Sequence, residues 1–374
     1  EPRILEHAED VPAVLQKRSI QKVLIVTDPG IARLGLTAPL ETALACRGIG
    51  VTVYAETRAN PTVSNVEEAA SLYRESACQA IIGFGGGSAM DCAKGVGARI
   101  AQPNKPINKM RGLLRIHRRL PLLIAVPTTA GTGSEVTLAA VITDDETHYK
   151  YPINDFVLIP RFAVHDPEFT CGLPASITGQ TGMDALTHAI EGYITPGAWT
   201  MSDMFELKAI ELVAAHLRNA VEDGSDPVAR NGMAEAQYIA GMGFSNVGLG
   251  IVHSMAHPLG AFYDTPHGVA NALLLPYVME YNAESPSRAK YLDIARAMGV
   301  DTAGMSVDEG VAAAVRAVRD LSLSIRIPQR LHEIGVREED IPALAVAAFN
   351  DVCTGGNPRP TSVGDIEKLY RTAF

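Results

Sequence analysis

Three of the ten histidines lie within fifteen residues of one another, in a segment that is otherwise almost entirely apolar. They are His253, His257 and His267, in the stretch GIVHSMAHPLGAFYDTPHGVANALLLP. His253 and His257 are four residues apart, so on a helix their rings would lie on one face. A single buried imidazole is usually a hydrogen-bonded core residue, because its nitrogens are costly to bury without partners. Three together favour a metal site, because neutral imidazole is a common protein ligand for Zn²⁺ and Fe²⁺.

A second segment supplies a carboxylate. The stretch TGMDALTHAIEGY places Asp184 and His188 four residues apart on a predicted helix. That spacing alone is weak evidence, since many surface helices carry it. The two segments together offer one carboxylate and up to four imidazoles, enough to hold a divalent ion and leave one position open for a substrate. The residues therefore predict a catalytic metal centre, and their spacing alone leaves open which histidines are ligands.

Composition excludes several classes of function. The 374 residues are 47% hydrophobic and 20% charged with a net charge of −10. This is typical of a globular protein of two or three domains and argues against a nucleic-acid partner. No apolar run reaches the roughly 18 residues that a membrane span needs, so no membrane partner is expected. Five scattered cysteines without a Cys-x₂-Cys pair favour a reducing compartment, and hence a cytoplasmic location.

The elements that must position these residues fall into two kinds. The first half alternates apolar runs with helical patterns, which predicts a parallel sheet covered on both faces. Its predicted strands are 22–27, 51–55, 79–84, 122–126, 136–143 and 162–165. After that the pattern is helical, with predicted helices at 174–195, 202–221, 227–246, 248–261, 268–283, 286–298, 306–322, 338–349 and 363–372. We therefore predict an α/β domain over residues 1–173 and an all-α domain over residues 174–374 that carries the metal candidates.

A glycine-rich connection, GGGSAMD, follows the third predicted strand. Glycines let a ligand approach the backbone, and a helix N-terminus binds phosphate, although a tight turn explains the same residues. Ser88 and Asp91 predict a capping-box helix start. The connection is not the G-x-G-x-x-G fingerprint, which follows the first strand. Asp28, after the first strand, is placed either to bond a ribose hydroxyl or simply to cap the helix that Pro29 begins.

Taken together, these motifs resemble the iron-containing (group III) alcohol dehydrogenases. The matching stretches are GGGSAMDCAK, PTTAGTGSEVT, GMDALTHAIEGY, HSMAHPLG and PHGVANALLLP. Within that family, the stretch around the three histidines and DVCTGGNPR look most like the lactaldehyde reductases, also called propanediol oxidoreductases. The resemblance implies a nucleotide-binding sheet domain, a helical domain, and an active site in the cleft between them.

Carried over residue by residue, the resemblance assigns the metal ligands to Asp184, His188, His253 and His267. It makes His257 a proton relay beside the substrate. The implied dinucleotide contacts are Asp28, Asn60, Gly86, Gly87, Ser88, Asp91, Thr128, Thr129, Thr132, Thr137 and Lys150. Phe244 and Cys353 match positions at the substrate end.

Two departures from the family pattern bear on assembly and specificity. The chain starts with EPRILEHAED and lacks the longer, glycine-bearing N-terminus whose first strand helps to build the family's dimer. A homodimer is still expected, with its mode of association open. Ala139 stands where the lactaldehyde reductases carry an asparagine near the nicotinamide, which bears on substrate and cofactor preference.

The expected function is an NAD-dependent, metal-assisted alcohol dehydrogenase or aldehyde reductase acting on a short-chain alcohol, diol or hydroxyaldehyde. Fe²⁺ is the expected metal, and ligand type alone does not separate it from Zn²⁺. One alternative is a lyase of the dehydroquinate synthase type, which shares the fold but needs several basic residues around a phosphorylated substrate. Another is a metal- or nucleotide-binding protein without turnover, against which the complete ligand set argues.

Overall fold

The computed structural model describes residues 1–146 and 149–374. They form two compact units. The first consists of residues 1–129 and 133–170, and the second of residues 130–132 and 171–374.

The first unit contains the strands, most of them where the alternating pattern predicts them. Their bounds are β1 Arg3–Leu5, β2 Lys22–Val26, β3 Gly50–Tyr54, β4 Ala80–Gly85, β5 Gly112–Leu113, β6 Leu122–Pro127, β7 Ala139–Thr143, β8 Lys150–Asn154 and β9 Phe162–Val164. Six of them form a parallel sheet in the order β1-β9-β6-β4-β2-β3, and β5, β8 and β7 form a smaller sheet. The longer helices of this unit are α1 Val11–Gln16, α2 Pro29–Arg33, α3 Ala38–Ala45, α4 Val63–Glu75 and α5 Gly87–Ala101.

The central strands are apolar on both faces because helices cover both. Leu24 of β2 and Ile81 of β4 belong to a core cluster that includes α4 and α5. Their neighbours Ile25 and Ile82 point to the opposite face, into a cluster that includes α1 and α3. This alternation explains why both strands read as continuous apolar runs.

Two local expectations for this unit are wrong. Helix α5 begins at Gly87 with Gly86 as its N-cap and has no side-chain cap. Asp91 instead accepts hydrogen bonds from Ser134 Oγ at 2.6 Å and Val141 N at 3.0 Å, so it is unavailable for a capping box. The strand predicted over 136–143 begins only at Ala139, because the preceding residues form a turn closed on the carbonyl of Gly133.

The second unit is helical, as predicted. A short helix, α6 Glu168–Cys171, leads into it. Its helices are α7 Ala175–Ile194, α8 Thr200–Glu222, α9 Pro227–Val247, α10 Ile251–Tyr263, α11 His267–Asn282, α12 Tyr291–Ala297, α13 Val307–Ser324, α14 Ile341–Phe349 and α15 Val363–Ala373. Helix α7 is its central element: every residue from Gly182 to Ile194 is buried, and α8, α9 and α11 pack against it.

Within residues 1–146 and 149–374, no helix combines the length and the hydropathy that crossing a membrane requires. None of the cysteines in that part of the chain forms a disulfide.

Candidate metal centre

Helix α7 presents three ionisable side chains to the interior of the second unit. Asp184, His188 and Glu191 follow one another at spacings of four and three residues, so they share one face of the helix. All three are buried. Sequence reasoning identified the first two and missed Glu191, although the segment HAIEGY contains it.

The three clustered histidines lie on two successive helices joined by a tight turn. Helix α10 carries His253 and His257 and ends at Tyr263, followed by Asp264 in the left-handed region at φ 52°. Helix α11 then begins at His267. The turn that joins the two helices brings His267 back toward His253, with ring centroids 5.4 Å apart.

The four residues assigned as ligands converge. Asp184 Oδ1 lies 3.6 Å from His267 Nε2 and 3.9 Å from His253 Nε2. His188 joins them, since one donor atom each from His188, His253 and Asp184 lie within 4.8 Å of one another. Donor atoms about 2.1 Å from a tetrahedral cation would be roughly 3.4 Å apart. The spacing of the carboxylate and the two imidazoles is close to that value.

Glu191 fixes the ring of His253. Its Oε2 lies 2.5 Å from His253 Nδ1, and its Oε1 accepts the backbone N–H of Val252 at 2.7 Å. With Nδ1 donating to this carboxylate, the tautomer leaves Nε2 of His253 as a lone-pair donor toward Asp184. A carboxylate behind a ligating histidine is a recurring arrangement at metal sites.

Asn271 connects ligands from three helices. It lies one turn after His267 on α11, is fully buried, and donates from Nδ2 to Asp184 Oδ1 at 2.7 Å. The same nitrogen is 3.1 Å from Nε2 of His253 and 3.1 Å from Nε2 of His267. Sequence reasoning missed this residue too, although its spacing from His267 places both on one helix face.

His188 is held by stacking. Its ring lies parallel to that of Phe244, with centroids 4.3 Å apart and 13° between planes, and 4.5 Å from the His253 ring. Its Nδ1 is buried and has no hydrogen-bond partner among the described residues. A buried polar atom without a partner calls for an explanation, and a nearby cation is one.

The ionisation states suit a cation. Burial lowers the pKa of His253 well below its ordinary value, so the ring is neutral. Burial alone would raise the pKa of Asp184, but the surrounding imidazoles and the Asn271 amide outweigh it and lower that pKa. Burial raises the pKa of Glu191 to about 7. A carboxylate beside neutral imidazoles is the form that metal binding requires, so these residues fit a divalent ion.

His257 belongs to a neighbouring group. Its Nδ1 lies 2.7 Å from Oδ2 of Asp351, and its ring lies 5.4 Å from that of His267 in a stacked arrangement. Asp351 precedes a 3-10 turn, Val352–Gly356, and its Oδ1 accepts the backbone N–H of Cys353 at 2.9 Å. Of the two residues predicted at the substrate end, Cys353 therefore lies next to the partner of His257, whereas Phe244 stacks on His188.

Part of the predicted dinucleotide set lies at one edge of the large sheet. Adjacent strands β6, β4 and β2 are parallel, so their carboxyl ends meet at the same edge. There Thr128 N donates to the carbonyl of Gly85 at 3.0 Å, and Asn60 N donates to Ser88 Oγ at 3.2 Å. Six of the predicted contacts follow these three strands directly: Asp28, Gly86, Gly87, Ser88, Thr128 and Thr129. In open α/β sheets ligands bind outside this edge.

Gly85 shows why glycine is needed at this edge. Its φ of +145° is unfavourable for other residues, and a Cβ there would lie 2.8 Å from Ala89 Cβ. Asp28 is at once the N-cap of α2, accepting from Gly30 N at 2.8 Å and Ile31 N at 3.0 Å. Both interpretations of Asp28 are therefore compatible with its geometry.

The remaining predicted dinucleotide residues have other surroundings. Asp91 is engaged by Ser134 and Val141, as described above. Thr137 contacts the fully buried Lys94, whose Nζ lies 3.1 Å from its Oγ1 and 3.0 Å from its carbonyl. Lys150 begins β8, and Thr132 belongs to the second unit. For these four residues, as for the seven at the sheet edge, a dinucleotide contact stays a prediction.

Comparisons with known proteins agree with this picture. The family model described as "Iron-containing alcohol dehydrogenase" matches residues 5–167, and that described as "Fe-containing alcohol dehydrogenase family, C-terminal" matches residues 178–374. Lactaldehyde reductase of Escherichia coli K12 is 47% identical over 96% of this chain and 94% of its own length. The NAD-dependent methanol dehydrogenase of Bacillus methanolicus is 37% identical over 98% of this chain and 96% of its own.

Similarity extends to the fold. A crystal structure of 1,3-propanediol oxidoreductase superposes with a TM-score of 0.97 at 39% identity, covering 100% of this chain and 97% of that one. The chain therefore belongs to the iron-containing alcohol dehydrogenase family, which confirms the predicted fold class and oxidoreductase class, with NAD and Fe²⁺ as the cofactors.

Proposed function

We propose that this enzyme transfers a hydride between NAD(H) and a short-chain alcohol, diol or hydroxyaldehyde at a metal site formed by Asp184, His188, His253 and His267. The observation that carries the proposal is the convergence of the Asp184 carboxylate with the Nε2 atoms of His253 and His267, of which the His253 ring is fixed through its other nitrogen by the buried Glu191. Because the chain belongs to a family of oxidoreductases, we do not retain the two alternatives, a lyase of the dehydroquinate synthase type and a binding protein without turnover.

When bound, the divalent cation would act as a Lewis acid on the substrate oxygen, while NAD accepts or returns the hydride. The protein residues set the charge for this. One carboxylate among three imidazoles leaves a net charge of about +1 with a divalent ion, which favours an anionic oxygen on the substrate. Fe²⁺ fits these nitrogen and oxygen donors, and Zn²⁺ fits them as well.

His257 is proposed as the proton relay, with Asp351 as its positioning residue. Donation from Nδ1 to Asp351 leaves Nε2 of His257 as the acceptor for the alcohol proton. The Asp351 carboxylate then stabilises the charged ring. Since 35% of the His257 side chain is exposed, the proton has a route to solvent.

The substrate is proposed to be small. Two of the similar proteins are named for three-carbon compounds, lactaldehyde and 1,3-propanediol. Phe244, stacked on His188, and Cys353, next to the His257 partner Asp351, are proposed to line the substrate end. The dinucleotide is proposed to lie along the strand ends that carry Asp28 and Gly86.

We also propose that the enzyme is a cytoplasmic homodimer. Strand β1 lies at the edge of the large sheet and leaves Ile4 45% exposed, so an edge is available for pairing with a second chain. A monomeric mass in solution would contradict the dimer.

The proposed function is tested by preparing the protein without oxygen, measuring its metal content, and assaying short alcohols and aldehydes with NAD(H). We expect one Fe²⁺ per chain and turnover of three-carbon substrates. His188→Ala should lose both metal and turnover while still binding NADH, measured by nucleotide fluorescence. Full metal occupancy in that variant would show that His188 is not a ligand, and absent turnover in the loaded native enzyme would contradict the function itself.

A further inference from the structure

A second group of metal-ligating side chains lies beside the centre described above. One donor atom each from His257, Asp351 and Cys353 lie within 4.8 Å of one another. His257 comes from α10, and the other two come from the turn after α14, spaced two residues apart. None of the three belongs to the set formed by Asp184 and its histidines.

Hydrogen bonds already hold the donors together. The Asp351 carboxylate joins His257 Nδ1 at 2.7 Å through one oxygen and the backbone N–H of Cys353 at 2.9 Å through the other. Thr354 Oγ1 donates to Ser254 Oγ at 2.8 Å, which ties the turn to α10. The three donors therefore sit on a fixed frame, so little ordering is needed to bring them onto one ion.

We propose that His257, Asp351 and Cys353 form a second, inhibitory site for a thiophilic divalent cation such as Zn²⁺ or Cd²⁺. The inhibition rests on the relay role proposed for His257, whereas the binding does not. A cation bound by one ring nitrogen of His257 and by the Asp351 carboxylate would take this pair out of proton transfer.

The two sites differ in their ligand atoms, so they would select different ions. The first set offers only nitrogen and oxygen, which suit Fe²⁺, whereas the second adds a sulfur, which favours softer ions. When the sulfur–metal bond forms, the Cys353 thiol loses its proton to solvent. A carboxylate and a thiolate then balance the two positive charges, so the second ion can bind although the His257 and His267 rings are only 5.4 Å apart.

The group is also accessible. The side chain of His257 is 35% exposed and that of Asp351 18% exposed. Burial raises the pKa of the Cys353 thiol well above its ordinary value, so the sulfur stays protonated until an ion arrives. A coordinating cation deprotonates such a thiol.

The test uses enzyme loaded with one equivalent of Fe²⁺ and titrated anaerobically with Cd²⁺. We expect one additional Cd²⁺ per chain, retention of the iron by elemental analysis, and an ultraviolet thiolate-to-cadmium absorption. Turnover should fall at least tenfold as that absorption rises. Cys353→Ser and Cys353→Ala should keep the iron, lose the absorption, and raise the Cd²⁺ concentration for half-inhibition by roughly tenfold or more. Cys46→Ser is the matched control, because Cys46 is exposed and lies in the first compact unit. This variant should bind Cd²⁺ and lose turnover as the native enzyme does.

Two results would overturn the proposal: an absorption that persists in both Cys353 variants, or Cd²⁺ uptake matched by an equal loss of iron. His188→Ala separates this test from that of the main function. If the proposal is right, that variant, without its first ion, still shows the Cys353-dependent absorption. If His188→Ala retains iron, His188 is not a ligand of the first site. The second site is then still decided by the Cys353-dependent absorption.

Discussion

Glu191 and His253 are joined through a buried contact of 2.5 Å between Oε2 and Nδ1, although 62 residues separate them in the chain. The contact holds the imidazole with its other nitrogen toward Asp184. Because such supporting carboxylates orient a ligand and fix its tautomer, their loss typically weakens metal binding about 10–100-fold.

We therefore expect Glu191→Ala to bind Fe²⁺ about 10–100-fold more weakly, and Glu191→Gln, which keeps one accepting oxygen, to lie between it and the native enzyme. Metal affinity is measured by competition with a chelator, alongside circular dichroism to verify the fold. Glu235→Ala, at an exposed position on α9, serves as the control. Native affinity in Glu191→Ala would show that the contact does not support the site.

His257→Ala distinguishes a relay from a ligand. We expect near-normal metal content and a rate lower by about 10²–10⁴, the usual contribution of a general acid–base group. The deficit should shrink as the pH rises, because the alcohol proton then leaves more readily without help. Metal analysis and a pH–rate profile decide the role: a metal-free variant makes His257 a ligand, and an unchanged rate makes it a bystander.

Asp28 is expected to set the choice of dinucleotide through its charge, by repelling a 2′-phosphate. Native enzyme should prefer NADH to NADPH, and both Asp28→Asn and Asp28→Gly should narrow that preference. Asparagine caps a helix about as well as aspartate, and glycine costs only a few tenths of a kcal/mol at that position. The pair thus separates charge from capping in a comparison of kcat/KM for the two cofactors. A native preference for NADPH, or an Asn variant with unchanged preference, would contradict the role.

Glu206 is a buried acid without a partner. It is fully buried on α8, and neither carboxylate oxygen has a hydrogen-bond partner in the described part of the chain. Glycines flank it, since a Cβ at Gly192 or at Gly243 would come within 2.2 Å of its Oε1. Burial raises its pKa well above the ordinary value.

A carboxyl whose pKa is higher in the folded than in the unfolded protein makes the fold less stable as the pH rises above the unfolded pKa, about 4.3. We expect the free energy of unfolding of Glu206→Gln to change less with pH than that of the native enzyme. The two free energies should therefore differ most near pH 8 and least near pH 4. Glu206→Met, which removes the unpartnered oxygens, should raise the free energy of unfolding at pH 8 by about 1–3 kcal/mol. Denaturant unfolding across this pH range is the measurement, and equal pH dependence in native enzyme and Glu206→Gln would refute the account.

The periodic elements were predictable from the sequence, and the elements without periodicity were not. Strands β2 and β4 read as apolar runs because helices cover both of their faces, and α7 reads as a helix because its pattern persists for twenty residues. Strands β1 and β5 have three and two residues, too few for a pattern to appear. Strand β8 contains Pro152, which argues against a strand in any sequence-based reading.

The site shows the same division. Asp184 and His188, or His253 and His257, are recognisable because helical spacing pairs them locally. Glu191 and Asn271 also lie at helical spacing from His188 and His267, but their roles depend on partners on other helices, so the spacing alone did not distinguish them from other polar residues. Asp91 was misassigned as a cap for a related reason, because its partner Ser134 lies 43 residues further along the chain.

All four proposed ligands, together with Glu191, Asn271 and the relay pair, come from the second compact unit, whereas Asp28 and the glycine edge come from the first. Substitutions in the first unit therefore act on dinucleotide binding, and substitutions in the second unit act on metal and substrate binding. Drift in the strand-end loops would change which dinucleotide is accepted without disturbing metal loading, and drift around Phe244 or Cys353 would change which alcohol is accepted. To obtain activity on a new substrate, one would therefore randomise the positions around Phe244 and Cys353 first and leave the metal-binding residues unchanged.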